Sequence, residues 1–153
     1  MEDRTEELMA TVREYLDALE FKYEYDEENK LVHYGVSGED IPMDMFIHTA
    51  MDGTALVLVS PMPFTVPEEK RAEMAIAVSI ANSHIVGSFD FDITDGKIMA
   101  RISNCMADMP LTRGAFEMLL IISQKLTDDY NDKFMMLAKG MITLDQFAEY
   151  TQN

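Results

Sequence analysis

Between Phe21 and Ser60 the chain reads as four strand patterns in succession, joined by turns too short to hold a crossover helix. Parallel neighbours need a connection of about a dozen residues or more, whereas antiparallel neighbours need only a few. The first half of the chain is therefore committed to an antiparallel sheet. Phe21, Tyr23 and Tyr25 alternate with Lys22, Glu24 and Asp26, the period of two expected of a half-buried strand. Asp26 to Asn29 forms a turn into a second strand, Lys30 to Val36, which Ser37-Gly38-Glu39-Asp40 breaks. A third strand covers about residues 41–51, with Met43, Met45 and Ile47 on one side. Asp52-Gly53 predicts a type I′ hairpin, because both residues tolerate the positive φ such a turn requires. The fourth strand, Thr54 to Ser60, is almost wholly apolar and is expected to lie centrally.

Helical periodicity flanks and follows this block. Leu8, Val12, Tyr15, Leu16 and Leu19 fall on one face of a helix over about residues 4–19, with Asp3 as N-cap and Glu6 three residues on. Pro61 and Pro63 end the sheet segment. Thr65-Val66-Pro67-Glu68 then matches a capping box opening a helix that runs to about His84. Its middle, Met74 to Val78, is apolar nearly all round and predicts a buried crossover helix. From Gly87 a second hairpin is expected. Phe89, Phe91 and Ile93 alternate with Asp90 and Asp92, Thr94-Asp95-Gly96-Lys97 turns the chain, and Ile98, Ala100 and Ile102 return. A long helix follows over about 112–138, stopped at Lys139-Gly140, and Thr143 with Gln146 caps a short last helix. The order is α-ββββ-α-ββ-α-α. Residues 1–153 thus read as one α+β domain, an antiparallel sheet with helices packed on it.

A chain of 153 residues that is 48% hydrophobic needs no metal or disulfide to fold; at this size about 70% of the unfolded surface is buried. Its charge restricts its partners. Lys and Arg number 12 against 28 Asp and Glu, a net charge of −16. Such a surface repels phosphate backbones and anionic lipid, so neither nucleic acid nor a membrane is an expected partner. Residues 1–76 carry 18 acidic and 6 basic side chains, residues 77–153 carry 10 and 6. A basic segment of a partner would be steered toward the N-terminal half. The same acidity also serves solubility without any partner. The lone Cys105 rules out an intramolecular disulfide, the N-terminus lacks a signal-peptide plan, and no apolar run approaches the roughly 18 residues of a membrane helix. A cytoplasmic location is expected.

Candidate chemistry is sparse. Asp90-Phe91-Asp92-Ile93-Thr94-Asp95-Gly96 resembles a calcium loop, but its glycine comes one place late and Arg101 stands where the bidentate glutamate belongs. His33, His48 and His84 lack the helical i, i+4 spacing of metal ligands, although His33 and His48 lie in strands that could bring them together. Gly87-Ser88 is not followed by a glycine elbow, and Cys105 has no cationic neighbour in sequence to activate it, so it reads as a small buried apolar residue. The seven glycines are scattered singly and build no phosphate cradle. No catalytic, cofactor or metal residue is assigned, and the chain is not expected to be an enzyme.

Methionine is the compositional outlier, at 14 residues. Its flexible, polarisable side chain fits surfaces that accept varied apolar partners, and equally fills gaps in a core. Met43 and Met45 on one strand face, Met106 and Met109 in the loop before the long helix, and Met135 and Met136 on that helix are the candidate partner-binding residues. A copper(I) site at Met106-x-x-Met109 lacks supporting ligands.

Residues 67–140 carry a resemblance. An alanine-rich helix ends in Ala81-Asn82. Gly87-Ser88-Phe89, the turn from Asp92 to Gly96 and a strand through Arg101 come next, then Asp128-Asp129-Tyr130 and a closing Leu137-Ala138-Lys139-Gly140. In this order they resemble the YbjN-like family, described as bacterial sensory transduction regulators. That family is similar in fold to type III secretion chaperones, small acidic proteins that often dimerise and hold extended segments of other proteins. The resemblance implies a protein partner, a chaperone-like or regulatory role, a homodimer as one form of the chain, and no catalytic residues. A small-ligand or metal-sensing domain is the alternative, with His33, His48 and Asp44 as its candidate polar groups.

Overall fold

The computed structural model describes residues 2–152. Helix α1 spans Thr5–Ala18, followed by strands β1 (Glu24–Asp26), β2 (Leu31–Val36), β3 (Met43–Ala50) and β4 (Ala55–Pro61). A single 3₁₀ turn, Glu68–Lys70, leads into α2 (Arg71–Asn82). Strands β5 (Ser88–Asp92) and β6 (Lys97–Cys105) and helices α3 (Arg113–Ala138) and α4 (Leu144–Thr151) complete the chain. The expected α+β class and order of elements are those of the structure.

The strands form one sheet in the order β1-β2-β3-β4-β6-β5, every neighbouring pair antiparallel. The apolar β4 lies inside it, between β3 and β6, as its composition predicted. Strand β5 passes beyond β6 to the edge, which is why the chain needs α2 to reach it.

Alternate residues of the strands face the helices. Val32, Tyr34, Met43, Met45, Ile47, Leu56 and Leu58 pack with Leu8, Met9, Val12 and Leu16 of α1 and with Phe116 and Leu120 of α3. A second cluster gathers Met74, Ala77, Val78 and Ala81 of α2, Phe89, Ile98, Phe134 and Phe147. Its aromatic centre is close-packed, with the Phe134 ring 4.9 Å from Phe89 and 5.2 Å from Phe147. Each fully buried phenylalanine contributes about 2–3 kcal/mol of transfer free energy. The 26-residue α3 runs through both clusters and joins them.

Local signals decided the ends of α3 and the start of α4. Thr143 and Gln146 form the expected capping box, and α3 closes with Met141 N–H donating to Met136 O and Gly140 N–H to Leu137 O, the paired bonds of a Schellman stop. Five expectations need correction. Asp3 is not the N-cap of α1: Arg4 stands there without a side-chain cap, and Asp3 accepts from Thr5 N–H at 2.9 Å. Thr65 is not the cap of α2: Pro67 stands at the start of the 3₁₀ turn with no side-chain cap, α2 starts at Arg71, and Val66 N–H is held by Gly96 O at 2.8 Å. Helix α2 is one-sided rather than buried all round, since Ile76 is exposed. The alternation at Phe21 and Tyr23 belongs to a loop packed on the core, strand β1 being only three residues long. The Asp52-Gly53 turn is wider than two residues: Met51, Asp52 and Gly53 all take positive φ between the paired Ala50 and Ala55. A side chain at Gly53 would strike the backbone of Arg4, whose N–H donates to Asp52 O.

Candidate functional site

A hollow of about 800 Å³ opens where β4 and the β5–β6 hairpin end. Its walls come from two segments distant in sequence. Pro61-Met62-Pro63-Phe64 leaves β4, and proline cannot continue the ladder as a central strand would. Phe91, Ile93, Ile98 and Met99 come from the hairpin. Ile93 does not extend β5, as its alternation suggested, but sits exposed in the turn on the lip of the groove.

Arg71 holds the two walls in register. Its Nε donates to Val66 O at 3.0 Å, Nη1 to Thr94 O at 2.8 Å and Nη2 to Asp95 O at 3.3 Å. Three of the five guanidinium N–H donors are thus spent on backbone carbonyls of the two segments, using the rigid fork of the group.

The rim is acidic. Asp90, Asp92 and Asp95 stand over the apolar floor with Lys97. Arg101 lies 3.5 Å from Asp90. The Thr94 hydroxyl and N–H both donate to Asp92, which holds its carboxyl below the usual carboxylate range. Neither histidine nor cysteine lines the groove. The arrangement can exclude water from an apolar chain and favour a cation at its edge.

The six methionines singled out from the sequence fall elsewhere and apart. Met43 and Met45 are core residues, 5% and 1% exposed, because the face they share is the one that α1 and α3 cover. Their assignment to a partner-facing surface is corrected accordingly. Met106 is buried under α1 while Met109, three residues on, is 67% exposed beside a smaller hollow near Arg4 and Thr11. Met135 and Met136 are half-buried on α3. The groove's own methionines are Met62 and Met99. The signal that could have found it was the apolar Pro-Met-Pro-Phe run just past a strand, which has no reason to be apolar unless it lines something.

Of the polar candidates, His33 and Asp44 come together and His48 stays apart. His33 Nε2 lies 3.0 Å from Asp44 Oδ1 on the sheet face away from the helices, and its ring stacks on Phe46 at 4.6 Å. His48 Nδ1 is satisfied by Thr49 O. Among the described residues no three His, Cys, Asp or Glu side chains are grouped to hold a metal ion, and no helix is long and apolar enough to cross a membrane. Cys105 is exposed, contrary to expectation, because it ends β6 on that same helix-free face, opposite Ala55.

A one-sided antiparallel sheet of six strands under four helices is a YbjN-like fold. It superposes on the crystal structure of YbjN from E. coli, described as a candidate transcription regulator, with a TM-score of 0.59 at 13% sequence identity, covering 87% of this chain and 90% of that one. It is also similar to the crystal structure of an uncharacterized protein from Methanothermobacter thermautotrophicus, with a TM-score of 0.53 at 17% identity, covering 88% of this chain and 98% of that one. No family model matches the chain, and no curated protein matches it in sequence.

Proposed function

We propose that this protein is a non-catalytic binding module, chaperone-like or regulatory, whose groove at the end of β4 receives an apolar segment of another protein. The observation that carries the reading is the pairing of an apolar floor, built from Phe64, Phe91 and Ile98, with the carboxylates of Asp90, Asp92 and Asp95 at its edge. Apolar side chains on the floor supply the attraction, and the carboxylates favour a segment flanked by Lys or Arg. The regulatory label of the similar E. coli protein agrees with a binding role.

Ile93→Asp tests it, since Ile93 is 54% exposed and its replacement leaves the core untouched. Apolar peptides with and without flanking lysines are titrated against the isotope-labelled protein. Amide shifts at Met62, Phe64, Thr65 and residues 90–99, stronger with the lysine-flanked peptides and lost in Ile93→Asp at an unchanged melting temperature, support the reading. Absence of binding by either peptide set overturns it. A groove of this volume also suits a small molecule. A metabolite and metal screen by thermal shift addresses that alternative, because a ligand held well above its dissociation constant raises the melting temperature.

A further inference from the structure

Helix α3 packs one side on the sheet, α2 and α4, and its other side carries an apolar ridge that the fold leaves uncovered. Met118 and Ile121 are 57% and 61% exposed, and Val86, in the connection from α2 to β5, is 69% exposed. Beside the ridge lies a shallow hollow of about 200 Å³ walled by Ile85, Val86, Ile122, Leu126 and Tyr130. Helix propensity does not call for an exposed isoleucine in mid-helix, where a longer unbranched or charged residue forms the helix better.

Four charges on the same helix are ordered about Ile121, while Asp128 on that face accepts the Glu39 N–H and would fall level with Gly114 of an antiparallel copy. Arg113 and Glu117 pair at 3.0 Å before it, and Lys125 and Asp129 pair at 3.0 Å after it. Glu117 and Lys125 stand four residues either side of Ile121, and Arg113 and Asp129 eight residues either side. The sequence of signs is plus, minus, apolar, plus, minus. Reversing the helix inverts the sign at every one of these positions. A second copy laid antiparallel about a two-fold axis at Ile121 therefore sets Glu117 level with Lys125 of that copy, and Arg113 level with its Asp129. A parallel copy would set like charges level throughout. The same two-fold brings Met118 of each copy over the hollow beside Ile122 and Leu126 of the other, a projection meeting a recess twice over, as an isologous interface requires.

We propose that this face of α3 is the interface of an antiparallel homodimer, with Ile121 on the two-fold axis and Glu117–Lys125 as its recurring charge pair. The groove and the ridge share no residue, so the dimer stands or falls independently of the peptide-binding reading.

Sedimentation equilibrium of the full chain tests it. A monomer–dimer equilibrium is expected, and Ile121→Asp should raise the dissociation constant about thirty-fold, the effect of losing a central anchor. Glu117→Lys and Lys125→Glu each set like charges level across the axis and should weaken self-association. Mixed in equal amounts, the two variants restore opposite charges at both sites and should form a heterodimer tighter than either homodimer. Circular dichroism and melting temperature confirm that each variant is folded. A chain that stays monomeric to about 1 mM, a dimer whose dissociation constant Ile121→Asp leaves unchanged, or a charge-swapped mixture no tighter than its components overturns the proposal.

Discussion

The side chain of Asn82 grips the backbone of Phe89 with both ends of its amide. Nδ2 donates to Phe89 O at 3.1 Å, and Oδ1 accepts from Phe89 N–H at 2.7 Å. Both backbone groups belong to the edge strand β5 and would otherwise face the position of a seventh strand. The last residue of α2 thus takes the place of a neighbouring strand, fixing the helix to the sheet and closing the edge at one residue. Asn82→Ala leaves a part-buried N–H and C=O without partners and should lower stability by about 1–3 kcal/mol. Urea denaturation measures the loss, and faster hydrogen exchange at the Phe89 amide locates it.

Gly96 lets the hairpin turn approach the segment that forms the other wall of the groove, its carbonyl accepting the Val66 N–H at 2.8 Å. Its φ is +77°, and a Cβ there would stand 2.4 Å from Val66 O, the carbonyl that Arg71 also holds. Gly96→Ala must push the 62–67 segment away from the hairpin while straining its own backbone. A loss of about 1–3 kcal/mol is expected, measurable by thermal denaturation and accompanied by loss of whatever the groove binds.

Met45 and Met109 should answer differently to the same substitution. Met45 is 1% exposed in the first core cluster, and Met45→Ser, which leaves a cavity and a stranded hydroxyl, should cost about 3–5 kcal/mol. Met109 is 67% exposed, and Met109→Ser should fall within about 0.5 kcal/mol of the parent. Chemical denaturation of the two variants side by side checks the partition of the methionines between core and surface.

Tyr34 gives the fold an alkaline limit. Burial pushes its hydroxyl from the ordinary value of 10.0 up to about 12. The folded state therefore favours the neutral phenol, and this contribution is complete below about pH 10, where the unfolded chain begins to titrate, and is lost as pH climbs toward 12. A difference of that size corresponds to about 2–3 kcal/mol. The hydroxyl makes no hydrogen bond of standard geometry, and the nearby Gln124 side chain offsets only part of the cost of burying it. Tyr34→Phe should accordingly match or exceed the parent at neutral pH and lose less stability between pH 9 and 12. Urea midpoints across that range, compared between the two proteins, isolate the Tyr34 contribution from the titrating lysines they share.

The element order, the antiparallel pairing and the central place of β4 were legible before any coordinates, and so were the caps at Thr143 and Gly140. Each rests on forces acting within a few residues: alternation along a strand, the reach of a short turn, a side chain satisfying the N–H groups of its own first turn. At Thr65 the local signal failed where the segment is instead held to the distant hairpin, Val66 N–H donating to Gly96 O.

The candidate site was hardly legible, because its surfaces are made by residues far apart in sequence. Composition marked methionine as unusual but could not say that the sheet face bearing Met43 and Met45 is the one the helices cover, while the face ending in Cys105 is left open. The groove exists because Arg71 and the backbone bonds from Met62 and Val66 tie the segment after β4 to a hairpin more than twenty residues further on. A sequence determines which residues can form strands and helices through forces that act between near neighbours. Which sides of those elements are buried, and which hollows remain between them, is decided by packing over the whole chain, and only the tertiary structure carries that information.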